Sequence, residues 1–278
     1  MMTEWIICKV IRNQCMTSGS TGMNMSGNTL LITGGGTGIG RSLAAAFHAL
    51  GNKVIIAGRR LSVLQETAAA YPGMSYAVLD IEDRKAIESF AAKLIVNHPD
   101  LNGVIHSAGV MHNEDLLAPQ IVLDDAEATV GINLLGPIRL TAALLPHLRK
   151  QKSAAILTVS SGLAFLPLAM TPTYCATKAA IHSYTQSLRY QLKDTPVQVI
   201  EIVPPYVRTE LMGKRQANDP AAMPLDDYIA ETMHLLASLP EAPEILVENV
   251  KPLRYAEVNG GYEDVFIQRN DAIKAARS

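Results

Sequence analysis

Tyr174 and Lys178 stand four residues apart in PTYCATKAA, and Ser161 precedes the tyrosine by thirteen positions. On a helix, residues i and i+4 lie one above the other, so a phenol and an ammonium would share one face. Ser161 follows the apolar, β-favouring run Ala154–Val159 and falls in the turn that ends it. A phenol, an ammonium and a hydroxyl brought together make a proton-transfer site. A tyrosine with a pKa of about 10 is a poor base at neutral pH, and a fixed cation beside it favours the phenolate. Taken alone, a Tyr-x-x-x-Lys pair also occurs on exposed helix surfaces. Its meaning depends on the elements that carry it.

Those elements alternate. Strands are expected at Thr29–Thr33, Lys53–Ala57, Ser75–Leu79, Asn102–His106, Ala154–Val159 and Val197–Val203, each a short apolar run. Helices are expected between them, at Arg41–Leu50, Leu61–Ala70, Asp83–Val96, Ala126–Gln151 (with a break near Gly136-Pro137) and Pro172–Leu192. Strand-helix alternation implies right-handed βαβ units and a parallel sheet covered on both faces. The tail reads as two helices, Met223–Leu239 and Ala242–Glu257, followed by a short strand, Asp264–Gln268. Coming after the sixth strand, residues 210–278 would either cap the ligand-binding end of the sheet or pack on its edge.

A nucleotide site is legible at the first turn. Gly34 to Gly40 reads GGGTGIG between a strand and a helix. There a backbone without Cβ atoms can approach a pyrophosphate, which then rests at the helix N-terminus. Gly34, Thr37, Gly38, Ile39 and Gly40 are the expected contacts. The second strand ends Ala57-Gly58-Arg59-Arg60, with no acid to hold a ribose 2′-hydroxyl. Two guanidiniums suit a 2′-phosphate instead, so NADP(H) is favoured over NAD(H), with Arg59 the main contact and Arg60 stacking on adenine. Asp80 ends the third strand and can accept from the adenine amino group, with Ile81 beside it. Ala108-Gly109 after the fourth strand would let the cofactor lie against the backbone.

The bulk numbers exclude several classes. The chain has 278 residues, 48% hydrophobic and 18% charged, enough for a sizeable core. Lys+Arg 24 against Asp+Glu 26 argues against a general nucleic-acid binder. Cys8, Cys15 and Cys175 are too few for a disulfide framework, and no Cys/His cluster has zinc spacing, so no metal is expected and a reducing cytoplasmic compartment is the default. Trp5–Ile11 is too short to span a bilayer, and residues 12–28 read as a flexible tail. With Met23 and Met25 just before the first strand, residues 1–24 are expected to be an upstream extension of the natural start or a disordered leader. His112, Glu114 and Asp115 read as a surface loop, His106 as a structural histidine and Cys175 as a packing residue.

Together these residues resemble the short-chain dehydrogenase/reductase family, in its simple single-domain branch. The resemblance spans about residues 28–211 and rests on TGGGTGIG at Thr33–Gly40, Asp80-Ile81, Ser107–Gly109, Asn133, Ser161, Tyr174-x-x-x-Lys178 and PPYVRT at Pro204–Thr209. It implies an α/β, Rossmann-type doubly wound parallel sheet over residues 28–278, with residues 1–27 a flexible extension and the C-terminal part a helical appendage. It implies hydride transfer between a nicotinamide and a carbonyl or secondary alcohol. Tyr174 would be the acid/base and Ser161 the donor to the substrate oxygen. Lys178 would lower the tyrosine pKa and hold the nicotinamide ribose. Asn133 would fix a water linking Lys178 to solvent, and Pro204, Val207 and Thr209 would hold the nicotinamide.

Three departures accompany it. His106-Ser107-Ala108-Gly109 stands where the family often has Asn-Asn-Ala-Gly, Pro204-Pro205 replaces its Pro-Gly, and no glycine-rich ending follows a seventh strand. The tail is more similar to oxidoreductases named after the D-alanylation of lipoteichoic acid. The resemblance also implies a homodimer or homotetramer, built on helices at Leu134–Leu148 and Ala176–Leu192. Membrane association is not expected. A nucleotide-sensing protein on the same fold, without chemistry, is the alternative; an epimerase or dehydratase would need a longer substrate region.

Overall fold

The computed structural model describes residues 22–275. Cys8, Cys15 and most of the expected leader therefore lie outside the described residues. Seven parallel strands form one sheet in the order β3-β2-β1-β4-β5-β6-β7. The strands are β1 (Thr29–Thr33), β2 (Lys53–Gly58), β3 (Ser75–Val78), β4 (Leu101–His106), β5 (Ala154–Val159), β6 (Val197–Val203) and β7 (Glu244–Leu246). The order reverses between β1 and β4. This opens the crevice at the carboxyl ends where ligands bind in such sheets. β1 and β5 are buried at every position, as strands covered on both faces must be.

One face of the sheet is covered by α1 (Gly38–Ala49) and α2 (Leu61–Ala70), and by α8 (Leu225–Ser238) from the C-terminal part. There Phe47 and Leu43 meet the fully buried Tyr228 and Met233. The other face carries α3 (Arg84–Asn97), α5 (Gly136–Leu148) and α6 (Pro172–Leu192), through Leu94, Leu140 and Leu188. Asp83 caps α3, accepting from the backbone N–H groups of Lys85 and Ala86. α6 starts at Pro172, whose missing N–H costs nothing at a first turn.

Several expectations need correcting. Residues 22–28 are not a flexible tail: Met23 and Met25 are buried in the core, and the Met23 N–H donates to Gln198 Oε1 at 2.5 Å. Their alternate spacing turns both side chains inward, and an Asn28–Asn52 side-chain bond of 2.9 Å holds the entry to β1. The expected break near Gly136-Pro137 is a π-helical turn, Gly131–Leu135, joining α4 (Asp124–Val130) to α5 without interruption. This helical run is long and apolar enough to cross a membrane by composition, but half of it is packed inside the protein. Residues 242–257 are not one helix: Glu244–Leu246 pairs with β6 as β7, and only α9 (Lys251–Arg254) is α-helical. Asp264–Gln268 is not a strand; it lies within α10 (Tyr262–Ala275), where Tyr262 and Phe266, one turn apart, stack at 6.4 Å and pack on Leu166. The short helix α7 (Lys214–Ala217) lies in the loop after β6.

Candidate active site

At the end of β5 the chain turns sharply. Ser161 caps a 3-10 turn, Gly162–Ala164, its Oγ accepting from the Leu163 N–H at 3.1 Å. The Gly162 N–H donates to the Pro204 carbonyl at 2.9 Å, tying this turn to the end of β6. Ser161 lies beside the Tyr174 phenol, close enough to act on its titration. Lys178 lies one helical turn on, its Nζ 5.5 Å from the centre of the Tyr174 ring and donating to the Val159 carbonyl at 2.8 Å. The phenol, hydroxyl and ammonium thus converge, and all three side chains are buried. Glu114 helps to set this geometry. It receives the Thr173 N–H and hydroxyl at 2.9 and 2.8 Å, capping the first turn of α6 from the β4 loop.

Asn133 joins them from the π-helical turn. Its Oδ1 accepts from the Val110 N–H at 2.9 Å and its Nδ2 donates to the Val110 carbonyl at 2.8 Å. Its side-chain amide is thus bonded at both ends to the Val110 backbone. A Cβ on Gly109 would lie 3.4 Å from Asn133 Oδ1 and 3.9 Å from Lys178 Nζ, so this glycine connects the four residues to the crevice.

The electrostatics differ from the expectation. Burial pushes the Tyr174 phenol well above its ordinary value, and the neighbouring Ser161 hydroxyl only partly opposes this. Burial also pushes the Lys178 ammonium down to about 8, against the field of Glu201. In the protein alone, desolvation is the largest influence on both groups. The result is a phenol that keeps its proton at neutral pH.

The crevice, of about 250 Å³, opens where the strand order reverses. Gly34, Thr37, Arg59, Arg60, Ile81, Ala108 and Gly109 line it, and among the described residues no acidic side chain does. Gly34 adopts φ +67°, and a Cβ there would meet the Ala108 backbone at 2.8 Å. A Cβ on Gly40 would lie 2.4 Å from the Gly34 carbonyl oxygen. These residues make a cradle that side chains would fill, which suits the pyrophosphate of a dinucleotide.

Other expected contacts stand apart from the lining. Gly38 (φ +51°) is inside the turn, 3.7 Å from Thr209 by its missing Cβ, which brings the loop after β6 over the glycine turn. Ile39 packs against the core on α1. Asp80 accepts from the Glu82 N–H at 3.1 Å in a local turn. Val207 is buried and forms an isolated bridge to Met223, and Thr209 accepts from Gln216 Nε2 at 3.3 Å. His106 is buried, bonded to Thr141 Oγ1 at 2.9 Å and pushed down to about 4 by desolvation, as a structural histidine would be. His112 faces Asp125 at 3.6 Å on the surface.

Glu201, His182, Glu244 and Arg254, close behind Lys178, were not among the expected site residues. An acid in the middle of the apolar strand VQVIEIV is the signal that marks them.

The chain is similar over 89% of its length to the uncharacterized oxidoreductase DltE of Bacillus subtilis (strain 168), 39% identical and covering 98% of that protein. Its fold is similar to a short chain dehydrogenase from Burkholderia cenocepacia J2315 in complex with NADP, with TM-score 0.75 and 21% identity over 88% of this chain and 98% of that one. It is also similar to a short chain dehydrogenase/reductase from Burkholderia phymatum in complex with NAD, with TM-score 0.73 and 20% identity over 88% and 96%. The profile of the short chain dehydrogenases matches residues 28–220. With the seven-stranded sheet, the glycine cradle and the relative from Bacillus, this match makes the chain an oxidoreductase of the short-chain dehydrogenase family.

Proposed function

We propose that the protein transfers a hydride between NADP(H) and a carbonyl or secondary-alcohol substrate, with Tyr174 as the proton donor or acceptor. The observation that carries this reading is the convergence of the buried Ser161 and Tyr174 side chains, with Lys178 Nζ 5.5 Å from the centre of the same ring. The nicotinamide supplies the hydride when bound. The chain's own residues handle the oxygen. Ser161 donates to the substrate oxygen and stabilises the charge that develops there. Tyr174 delivers its proton to that oxygen in reduction or accepts it in oxidation. A phenol whose proton is held firmly by burial fits the acid's role in reduction. Lys178 fixes the nicotinamide ribose, and the Asn133–Val110 bonds hold the wall beside it. Arg59 and Arg60 receive the 2′-phosphate, and a crevice lined by two guanidiniums and, among the described residues, by no acid supports that choice over NAD(H).

The tail supports a cap over the substrate side. Asn270 on α10 accepts from the Ala169 N–H at 2.7 Å and donates to the Pro167 carbonyl at 3.3 Å. Both lie in the span between Ser161 and Tyr174. Leu168, Met170, Leu163 and Met111 cluster around Tyr174, which supports an apolar substrate wall. Self-association through α5 and α6 completes the reading. The test is a titration with NADPH, then a screen of assorted ketones for loss of NADPH absorbance. Turnover of at least one ketone is expected. Tight NADPH binding with no turnover over a broad panel would support a nucleotide sensor and overturn the proposal.

A further inference from the structure

β6 is a buried parallel strand, yet its fifth residue is Glu201, which has no exposure to solvent. Burying a carboxylate is costly unless it is paired. Val197, Val199 and Glu201 alternate onto the face that packs against α6. Glu201 Oε2 lies 2.8 Å from His182 Nδ1, whose N–H donates to it. Oε1 is buried and has no hydrogen-bond partner among the described residues. Tyr174, Lys178 and His182 follow at intervals of four on α6, so Glu201 meets the stripe that carries the proton-transfer pair.

The C-terminal part completes this cluster. Glu244 on β7 stands opposite Glu201 in register. Arg254 on α9 takes Glu244 with two bonds, 2.7 and 3.1 Å, and lies 4.5 Å over the Phe165 ring, which meets His182 edge-on at 4.7 Å. His182, Glu201 and Glu244 offer donor atoms within 4.8 Å of one another, a spacing that a cation would accept. Arg254 already occupies both oxygens of Glu244, however, and Arg189 adds a second guanidinium nearby, bonded to the Val199 and Pro243 carbonyls. With Glu244 taken by Arg254, only Glu201 and His182 are left to hold a cation, too few for a metal site.

We propose that Glu201 is the counter-charge of Lys178: a buried carboxylate, held by His182 and braced by the Glu244–Arg254 pair, whose field keeps the lysine charged beside Tyr174. Glu201 is in this sense a positioning residue, and the inference rests on the reading of Lys178 as the companion of Tyr174. The surroundings of Lys178 leave this part to it. On its own helix the lysine faces the neutral Tyr174, at the end of β5 the Val159 carbonyl, and across Gly109 the neutral Asn133. Glu201 is the acid whose field opposes the loss of its proton. Beyond Glu201 stand His182 and Arg189 on α6, Glu244 on β7 and Arg254 on α9; both guanidiniums also lie in its field. The sign follows. A carboxylate favours the ammonium, so its removal lets Lys178 lose its proton at lower pH.

The test follows the Lys178 Nζ chemical shift by NMR against pH in the full-length, cofactor-free protein, with Lys178→Arg to assign the signal. The wild-type midpoint is expected near 8. In Glu201→Gln it should fall by about one pH unit or more, a tenfold change. In His182→Asn, which keeps an N–H donor, it should hardly move. If the glutamine variant does not fold, the double variant Glu201→Met with His182→Phe replaces it, because exchanging both partners of a buried pair for apolar groups is often neutral for stability. The basic limb of the kcat/KM profile should move in the same direction as the NMR midpoint. An unchanged Lys178 midpoint in a folded Glu201 variant overturns the proposal, even if Lys178 is essential. A shifted midpoint in a protein whose turnover does not need Lys178 would uphold it and instead remove the functional reading.

Discussion

Replacing Arg59 by alanine separates the two dinucleotides more sharply than any other single change in the crevice. The Arg59 side chain is exposed at the end of β2, lines the crevice and has no acidic partner among the described residues. It is free to form forked, charge-assisted bonds to a 2′-phosphate. Such bonds contribute roughly 1.5–3 kcal/mol. An exposed position belongs near the lower half of that range, because solvent and salt screen it. The expected loss for NADPH is therefore about 10-fold, rising toward about 100-fold at low salt, since about 1.4 kcal/mol is tenfold. NADH, with only a hydroxyl there, should change by less than about threefold. Calorimetric or fluorescence titration of both cofactors at two salt concentrations reads this directly. Equal losses for the two, or a loss for NADPH that does not depend on salt, would refute the assignment of the 2′-phosphate to Arg59.

Two further changes probe other parts of the account. Gly40→Ala places a Cβ 2.4 Å from the Gly34 carbonyl oxygen and 3.1 Å from Ser107 Oγ. The overpacking should cost about 1–3 kcal/mol and lower Tm by roughly 2–4 °C per kcal/mol for a domain of this size, with weaker NADPH binding; an unchanged melt would contradict the close packing of the cradle. Asn270→Ala removes both bonds from α10 to the Pro167–Ala169 span. It should raise KM several-fold for the best ketone while NADPH affinity stays within about twofold, at about 1 kcal/mol for each bond lost; unchanged kinetics would sink the cap.

Most of the sheet was legible because its strands are continuous apolar runs. TLLIT and VQVIEIV stand where the sequence places them, and Pro172 marks the start of α6. Short tail segments were not. Glu244–Leu246 is too brief for any periodicity, and it is a strand because β6 offers a free edge in register. DVFIQ has strand-like residues, but α10 uses Tyr262, Phe266 and Asn270 at helical spacing against the loop over Leu166. Tertiary packing there decides what local preference leaves open. At the site, the sequence indicates the partners but not their burial. Tyr174 and Lys178 were expected as a phenol eased toward its anion by a cation. The structure desolvates both, which raises one pKa and lowers the other. In the sequence Glu201 is one letter within a strand; its burial, which signals a partner, is visible only in the fold.

The central claim is that Tyr174 moves the proton. It is tested most directly by Tyr174→Phe, assayed for turnover and NADPH binding with a ketone that the wild-type protein reduces. General acid catalysis contributes about 10²–10⁴-fold. Turnover should fall by at least that lower factor, with NADPH affinity nearly unchanged and the fold intact. A folded phenylalanine variant that binds NADPH and turns over the ketone at the wild-type rate would contradict the account.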